Sequence, residues 1–188
     1  QFVNGGGRLL VLGEGIAVSA SGRQLTDPAR IAWLNQLLDP TGIRFQPGAA
    51  ADMAGRWELS LRNFADPFDK APIANAQITN AAALSIRSPA HPLLVGRFGL
   101  HDLPEICRNE SPGLPDGQYD GNESLGDVVL AAGQTFGRGS VTIASASAAT
   151  NMAIPESWQW MAGLLLRPTT TPAPSNTLVI VGLVAWAI

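Results

Sequence analysis

Side chains that carry oxygen recur at a regular spacing between residues 116 and 127 of this 188-residue chain. Their positions, with a glycine at the sixth, match the spacing of a calcium-binding loop. The candidate ligands are Asp116, Gln118, Asp120, Asn122 and Asp127. Two departures from the pattern count against calcium: a neutral Gln at the third position, and an Asp at the twelfth, where a longer Glu usually holds the ion. A solvated acidic loop is the alternative interpretation.

A second carboxylate, Glu14, stands between Gly13 and Gly15 directly after an apolar run that predicts a buried strand. Ligands of open α/β sheets bind at the carboxyl ends of such strands, so these three residues form a candidate ligand-binding turn. The other interpretation is that Glu14 caps the adjacent helix or turn. Neither interpretation makes the residue a nucleophile, because a carboxylate cannot replace a thiolate in acyl transfer. We therefore assign no catalytic residue. The lack of a Cys or Ser nucleophile at this turn argues against an enzyme.

The overall composition narrows the choice of partners. Twelve basic against fifteen acidic residues leave a net charge of −3, and Lys70 is the single lysine, so the chain lacks the basic stripe that nucleic acid requires. An apolar content of 46% is enough for one globular core. Cys107, the one cysteine, cannot form an internal disulfide. The sequence predicts an unknown protein or a small ligand as partner, and no cofactor other than the candidate calcium ion.

The elements that must position these residues follow from apolar spacing. Residues 8–13 predict a central parallel strand. A helix is expected from Pro28, with apolar residues at spacings of three and four, followed by a short strand at 43–45. Two strand-like segments around the glycine turn at 136–139 predict an antiparallel hairpin within residues 127–144, and a second helix is expected from Pro155. Together they predict an α/β fold, a three-layer sandwich with a mainly parallel sheet and this hairpin near its C-terminal end.

The two ends of the chain differ in character. Residues 1–167 form the predicted domain, and its start at Gln1 rather than Met suggests that an N-terminal portion is missing. Residues 168–176 are rich in Pro and Thr, which is typical of a linker. The apolar tail at 178–188 has two interpretations: the start of a transmembrane helix, or a short strand or helix that returns to the domain. The stiff linker favours the membrane helix.

Four segments resemble a known family, the class I glutamine-amidotransferase-like domains in their non-catalytic form, including the intraflagellar-transport and gliding-motility type. They are residues 2–15, residues 34–45, His91-Pro92, and residues 136–143 with 149–151 downstream. The resemblance implies a flavodoxin-like fold with further β-α units upstream. In catalytic members a cysteine stands on the turn that here is Gly13-Glu14-Gly15, so the resemblance also implies that the nucleophile is lost.

These observations predict a non-enzymatic ligand-binding or protein-assembly module at the cell envelope, anchored in the membrane by its tail with the domain on the non-cytoplasmic side. The alternative is a hydrolase or amidotransferase-like enzyme whose catalytic residues lie in the missing N-terminal segment.

Overall fold

The structure is a computed structural model that describes residues 1–14, 16–18, 24–26, 28–52, 61–63, 81–102, 119, 121, 123–145 and 178–182. The elements are β1 (Arg8–Gly13), β2 (Ile16–Val18), β3 (Gln24–Thr26), α1 (Pro28–Leu37), β4 (Ile43–Phe45), β5 (Ala49–Asp52), β6 (Leu61–Asn63), β7 (Leu84–Ile86), β8 (His91–Asp102), β9 (Ser124–Phe136), β10 (Gly139–Ser145) and β11 (Leu178–Gly182). The helix expected from Pro155, the linker at 168–176 and Cys107 lie outside the described residues.

Nine of these strands form one mixed sheet, whose main path runs β11-β1-β10-β9-β7-β4. β1 is parallel to β10 on one side and to β11 on the other. All other described pairs are antiparallel, including the long pair of β8 with β9. A separate two-stranded sheet joins β2 and β3.

The prediction of a three-layer α/β sandwich with a mainly parallel sheet is therefore wrong. Residues 8–13 do form a strand between two parallel neighbours, as an apolar run favours. Parallel sheets also need a long crossover between successive strands, usually a helix. α1 provides none between parallel strands of the main sheet, because β3 before it belongs to the small sheet and β4 after it is antiparallel to β7.

The expected hairpin is present, and it lies inside the sheet. β9 and β10 pair antiparallel around a turn of two residues, and β10 continues the sheet by pairing with β1. The first turn residue, Gly137, has φ +56°, a backbone conformation that only glycine adopts without steric cost. Gly137 thus allows the local reversal of the chain.

The sheet curls so that β5 closes it on itself. Ala50 in β5 pairs with His101 of β8 on one side and forms an isolated bridge to Ala81 on the other. Two backbone hydrogen bonds join Ala50 and Ala81, at 2.7 Å and 3.0 Å. Ala50 and Ala81 are completely buried, and their small side chains allow the strands to approach closely at this point.

α1 covers one face of the curled sheet and completes the main core. Its inner side contributes Ile31 and Leu34, and Leu38 follows directly after its last residue. These side chains pack against Ala82, which lies just before β7, and against apolar residues of five strands: Val11, Ile43, Phe45, Leu84, Ala132, Val141 and Ile143. The spacing of three and four residues seen in the sequence therefore identified the buried side of the helix.

The described part of the apolar tail is not the start of a transmembrane helix, which the linker had favoured. Residues Leu178–Gly182 form β11, in parallel register with β1 from Arg8 opposite Leu178 to Leu12 opposite Gly182. The prediction of a transmembrane helix starting there is wrong, because an apolar run of this length also suits a strand, and β1 offers it a partner. No helix among the described residues is long and apolar enough to cross a membrane.

Candidate functional site

Glu14 lies at the carboxyl end of the parallel part of the sheet. It follows the last residue of β1, and Gly13 is in register with Ser145, the last residue of β10. β11 also ends beside β1. The carboxyl ends of three parallel strands thus meet at one edge, as in the ligand-binding crevices of α/β proteins. Glu14 itself is half-buried there.

The electrostatic environment of Glu14 combines burial with one nearby cation. Burial raises the pKa of the Glu14 carboxyl above its ordinary value, because a charged group loses hydration there. The positive charge of Arg30, in the first turn of α1, acts in the opposite direction and is the smaller effect. The assignment of Glu14 as a ligand-binding residue stays a prediction.

Gly13 has a packing role that the sequence did not reveal. A Cβ atom on Gly13 would lie 2.6 Å from Cζ of Phe45 and 2.8 Å from Cδ1 of Leu34, closer than real Cβ atoms approach. The glycine therefore lets α1 and β4 pack directly on the end of β1. Gly15, the third residue of the candidate turn, lies outside the described residues.

Of the candidate calcium ligands, only the side chain of Asp127 falls within the described residues. Asp127 lies in β9 rather than in a loop, and its Oδ1 is 3.9 Å from Nε of Arg97 on β8. Asp116, Gln118, Asp120 and Asn122 lie outside the described residues, so calcium binding stays a prediction. Within the part of the chain that the structure describes, no group of three or more acidic, His or Cys side chains is arranged to hold a metal.

The outer face of α1 is a candidate site that the sequence analysis missed. We define this face by its exposed residues, Ala29, Ala32, Trp33, Gln36 and Leu37. None is charged, and Trp33 and Leu37 keep 48% and 44% of their surface exposed. The two residues are four apart and so lie together on the helix surface. Their spacing is visible in the sequence, but Ile31, Leu34 and Leu38 have the same spacing and form the buried side of the helix.

Asn35, on the inner flank of α1, bonds to the backbone of β4 at the edge that faces away from β7. The Nδ2 group of Asn35 donates to the carbonyl of Phe45 at 2.9 Å, and its Oδ1 accepts from the Phe45 N–H at 2.8 Å. A side-chain amide therefore takes the place that a neighbouring strand would occupy. Because Phe45 is buried, its backbone groups would lack partners without this amide.

The other residue of β4 whose backbone faces away from β7 is Ile43, and nearby side chains satisfy it as well. Thr41 Oγ1 accepts from the Ile43 N–H at 3.1 Å. The carbonyl of Ile43 accepts from Thr41 Oγ1 at 3.2 Å and from Nη1 of Arg44 at 2.9 Å. Arg44 also donates to the carbonyls of Leu38 and Thr41. The β4 edge is thus closed by Asn35, Thr41 and Arg44.

Phe98, another exposed apolar residue, lies on the pair of β8 with β9. Phe98 is 66% exposed and has φ +56°, the left-handed region that is unfavourable for a residue with a large side chain. Two residues, Arg97 and Phe98, stand where β9 has one, because the register shifts between Gly96 and Gly99. Cζ of Arg97 lies 4.9 Å from the centre of the Phe98 ring. The bulge thus presents the ring on the surface.

Comparisons with known proteins add little to this geometry. No family model matches the sequence, and no curated protein matches it. Among solved structures, the chain is similar to the mmIFT52 N-terminal domain, with a TM-score of 0.44 and 16% identity over 87% of this chain. The match covers 65% of that domain, so this chain spans about two thirds of its length. This weak likeness does not confirm the resemblance to amidotransferase-like domains, and the fold and site together define a strand-rich domain with a mixed, curled sheet.

Proposed function

We propose that this chain is a non-enzymatic protein-assembly module that binds a partner protein through the outer face of α1. One observation carries the proposal: an uncharged helix face with a half-exposed Trp and a half-exposed Leu, Trp33 and Leu37, side by side. Tryptophan is the residue type most enriched among those that dominate the binding energy of protein interfaces. Apolar helix faces bind protein grooves through anchors at this spacing.

The energetics favour a partner that removes this face from water. Burying apolar surface is worth roughly 25 cal/mol per Å², so covering the exposed half of a Trp and a Leu contributes on the order of 3 kcal/mol. No charge on the outer face of α1 has to lose its hydration when the partner binds. A protein surface with an apolar groove fits this face better than a polar small molecule does.

Photo-cross-linking tests the proposal directly. p-Benzoylphenylalanine would replace Trp33 in the full chain, and irradiation would be carried out in the cells that produce the protein. Thr135, exposed in β9, is the matched control position. We expect a discrete adduct from position 33 that is absent from position 135 and is lost when Leu37→Glu is added. Identical adducts from both positions, or none from position 33, would contradict the proposal.

The location at the cell envelope and the relationship to non-catalytic amidotransferase-like domains belong to the same proposal. The location is supported now by the linker composition alone, since residues 178–182 form a strand. The relationship is supported by the order of the four matching segments. Cell fractionation of the natural full-length protein tests the first, and alignment of that full-length sequence with the family tests the second.

A second candidate is a hydrolase or amidotransferase-like enzyme completed by residues outside this sequence. One observation favours it: a half-buried carboxyl with a raised pKa, Glu14, at the carboxyl end of three parallel strands. Such groups serve as general acids or bases in enzymes. The test is hydrolysis of amide and ester substrates by the natural full-length protein, with Glu14→Gln as the inactive variant; equal rates in both would contradict an enzymatic role of this residue.

A further inference from the structure

Four side chains form an exposed patch where β8 pairs with β9: Arg97, Phe98, Leu125 and Asp127. Leu125 and Asp127 are two apart in β9, so they lie on the same face of the sheet, and both are exposed. Oδ1 of Asp127 lies 3.9 Å from Nε of Arg97, and Cζ of Arg97 lies 4.9 Å from the centre of the Phe98 ring. These contacts place the four residues on one surface, which we call the β8–β9 patch.

The backbone at Phe98 is strained without a gain in packing. Its φ of +56° lies in the left-handed region, and every other positive φ among the described residues belongs to a glycine. A glycine would adopt this conformation without steric cost, whereas the phenylalanine ring is 66% exposed and so gains little from burial. Strained residues cluster at binding and catalytic sites. The strain therefore points to a ligand for the ring.

The charge around the patch favours a cationic ligand. Residues 103–123 connect β8 to β9, and their sequence carries five acidic residues against one arginine, a net charge of −4, compared with −3 for the whole chain. This connection ends beside the patch, because β9 begins at Ser124, directly before Leu125. Within the patch, the Asp127 carboxylate is 60% exposed and offsets the charge of Arg97. The excess charge at this end of the β8–β9 pair is thus negative.

We propose that the β8–β9 patch binds a basic segment of a partner protein, with an arginine or lysine of the partner placed against the Phe98 ring and the Asp127 carboxylate. The face of an aromatic ring attracts a cation, and a carboxylate beside it adds a charge-assisted hydrogen bond. Leu125, which is 53% exposed, offers an apolar contact for the stem of the same side chain. The patch shares no residue with the outer face of α1, so the proposal goes beyond the proposed function.

A basic segment suits this patch better than an acidic or a purely apolar one. An acidic partner would be repelled by the negative charge of residues 103–123. An apolar partner would remove the partly exposed charges of Arg97 and Asp127 from water without replacing their hydration. A cation from the partner instead gives the carboxylate a new partner while the ring is covered.

Fluorescence polarisation with two labelled peptides tests the proposal on the full chain. One peptide repeats arginine, leucine and glycine, and the matched peptide has glutamate in place of every arginine. We expect saturable binding of the arginine peptide, with an affinity about tenfold or more above that of the glutamate peptide, and a weaker affinity as salt is added. A wild-type chain that binds neither peptide, or binds both equally, would overturn the proposal.

Removing the ring separates a specific site from general attraction to charge. Phe98→Gly deletes the ring and suits the left-handed backbone, so we expect the Kd of the arginine peptide to rise about tenfold while the urea midpoint does not fall. Phe98→Asn is a second variant without the ring, and asparagine also tolerates this conformation. Unchanged binding of the arginine peptide in both variants would overturn the proposal.

The carboxylate of the patch has a matched control elsewhere in the chain. Asp127→Asn should raise the Kd of the arginine peptide about threefold or more, because the partner's cation loses its counter-charge. Asp39→Asn removes the same charge from a carboxylate that is 84% exposed and lies outside the patch, and it should leave the Kd unchanged. Equal weakening by the two variants would overturn the proposal, because net charge alone would then explain the binding. Cross-linking from position 33 should persist in Phe98→Gly, so the two proposals fail separately.

Discussion

The two ends of the main sheet are built in opposite ways. At β4, a helix amide, a threonine hydroxyl and an arginine bond the outward backbone groups, so side chains complete the strand. At β11, five uncharged residues end the described sheet with no such cover among the described residues. The comparison indicates that the fold needs the β4 edge closed because Phe45 belongs to the core, whereas β11 has β1 as its one neighbour among the described residues.

Removing the amide that closes the β4 edge should have the largest effect. Asn35→Ala leaves the buried N–H and C=O of Phe45 without partners, and we expect a loss of about 3 kcal/mol in the free energy of unfolding. Urea unfolding followed by tryptophan fluorescence measures it. Gln36→Ala, on the exposed side of the same helix, should stay within about 0.5 kcal/mol of the wild type. A loss below 1 kcal/mol for Asn35→Ala would show that this edge does not need closing.

The arginine at the same edge should contribute less. Arg44→Gln removes donors to the carbonyls of Leu38, Thr41 and Ile43, and we expect a loss of about 1–2 kcal/mol because the side chain is partly exposed. Its ion pair with Asp39 adds little, since that carboxylate is 84% exposed. Asp39→Asn should therefore cost less than about 0.5 kcal/mol. An equal loss in the two variants would mean that the ion pair, and not the carbonyl bonds, stabilises the edge.

His101 of β8 bonds to the carbonyl of Pro47, which lies between β4 and β5, and burial of its ring should make the stability of the fold depend on pH. Its Nε2 lies 2.7 Å from that oxygen and must carry a proton to donate. Burial lowers the pKa of the ring below 6.5, against the raising effects of the Pro47 bond and of Glu123. The unfolded chain then binds more protons, so stability is lost as the pH falls from 6.5 to the folded pKa.

His101→Gln should remove this acid dependence and cost about 1 kcal/mol at pH 7. His91→Gln, at an exposed position, is the control. Urea unfolding between pH 5 and 7 measures both variants. An acid dependence that is unchanged in His101→Gln would show that the ring does not cause it.

The smallest effect is expected beside β11, at the end of β1. Because burial raises the pKa of Glu14, the folded chain holds a proton that the unfolded chain has released. Stability should therefore fall as the pH rises from 4.5 to the folded pKa. Glu14→Gln should remove this dependence and leave stability at pH 7 unchanged or up to about 1 kcal/mol higher. A loss of stability in Glu14→Gln at pH 7 would instead favour a capping role for the carboxylate.

Several elements could be predicted because their signals are local. The apolar run at β1, the spacing of Ile31 and Leu34 in α1, and the glycine turn between β9 and β10 each reflect short-range geometry. The predicted fold class was wrong because the relative direction of paired strands depends on segments that are far apart in the chain. The same strand patterns suit parallel and antiparallel neighbours, and the pairing of β8 with β9 joins residues far apart in the chain.

The candidate site residues likewise include some that the sequence predicts and some that it does not. Glu14 could be placed at a strand end because an apolar run stops just before it. The outer face of α1 was not predicted as a site. The spacing of Ile31 and Leu34 marks the inner side of the helix, but only the packed structure shows that the apolar residues Trp33 and Leu37 on the other side stay exposed. The amide of Asn35 was equally invisible, since its role depends on a strand ten residues away.

The sequence by itself determined where the chain is apolar, where glycine lets it turn, and that it carries little charge. These properties act through neighbouring residues and are therefore readable in a linear chain. Only the tertiary structure decided that residues 178–182 of the apolar tail form a strand beside β1 and that Gly13 gives room to Phe45 and Leu34. It also decided that one sheet edge is closed while the other has no described neighbour. These outcomes depend on contacts between distant segments, whose free energy no local pattern contains.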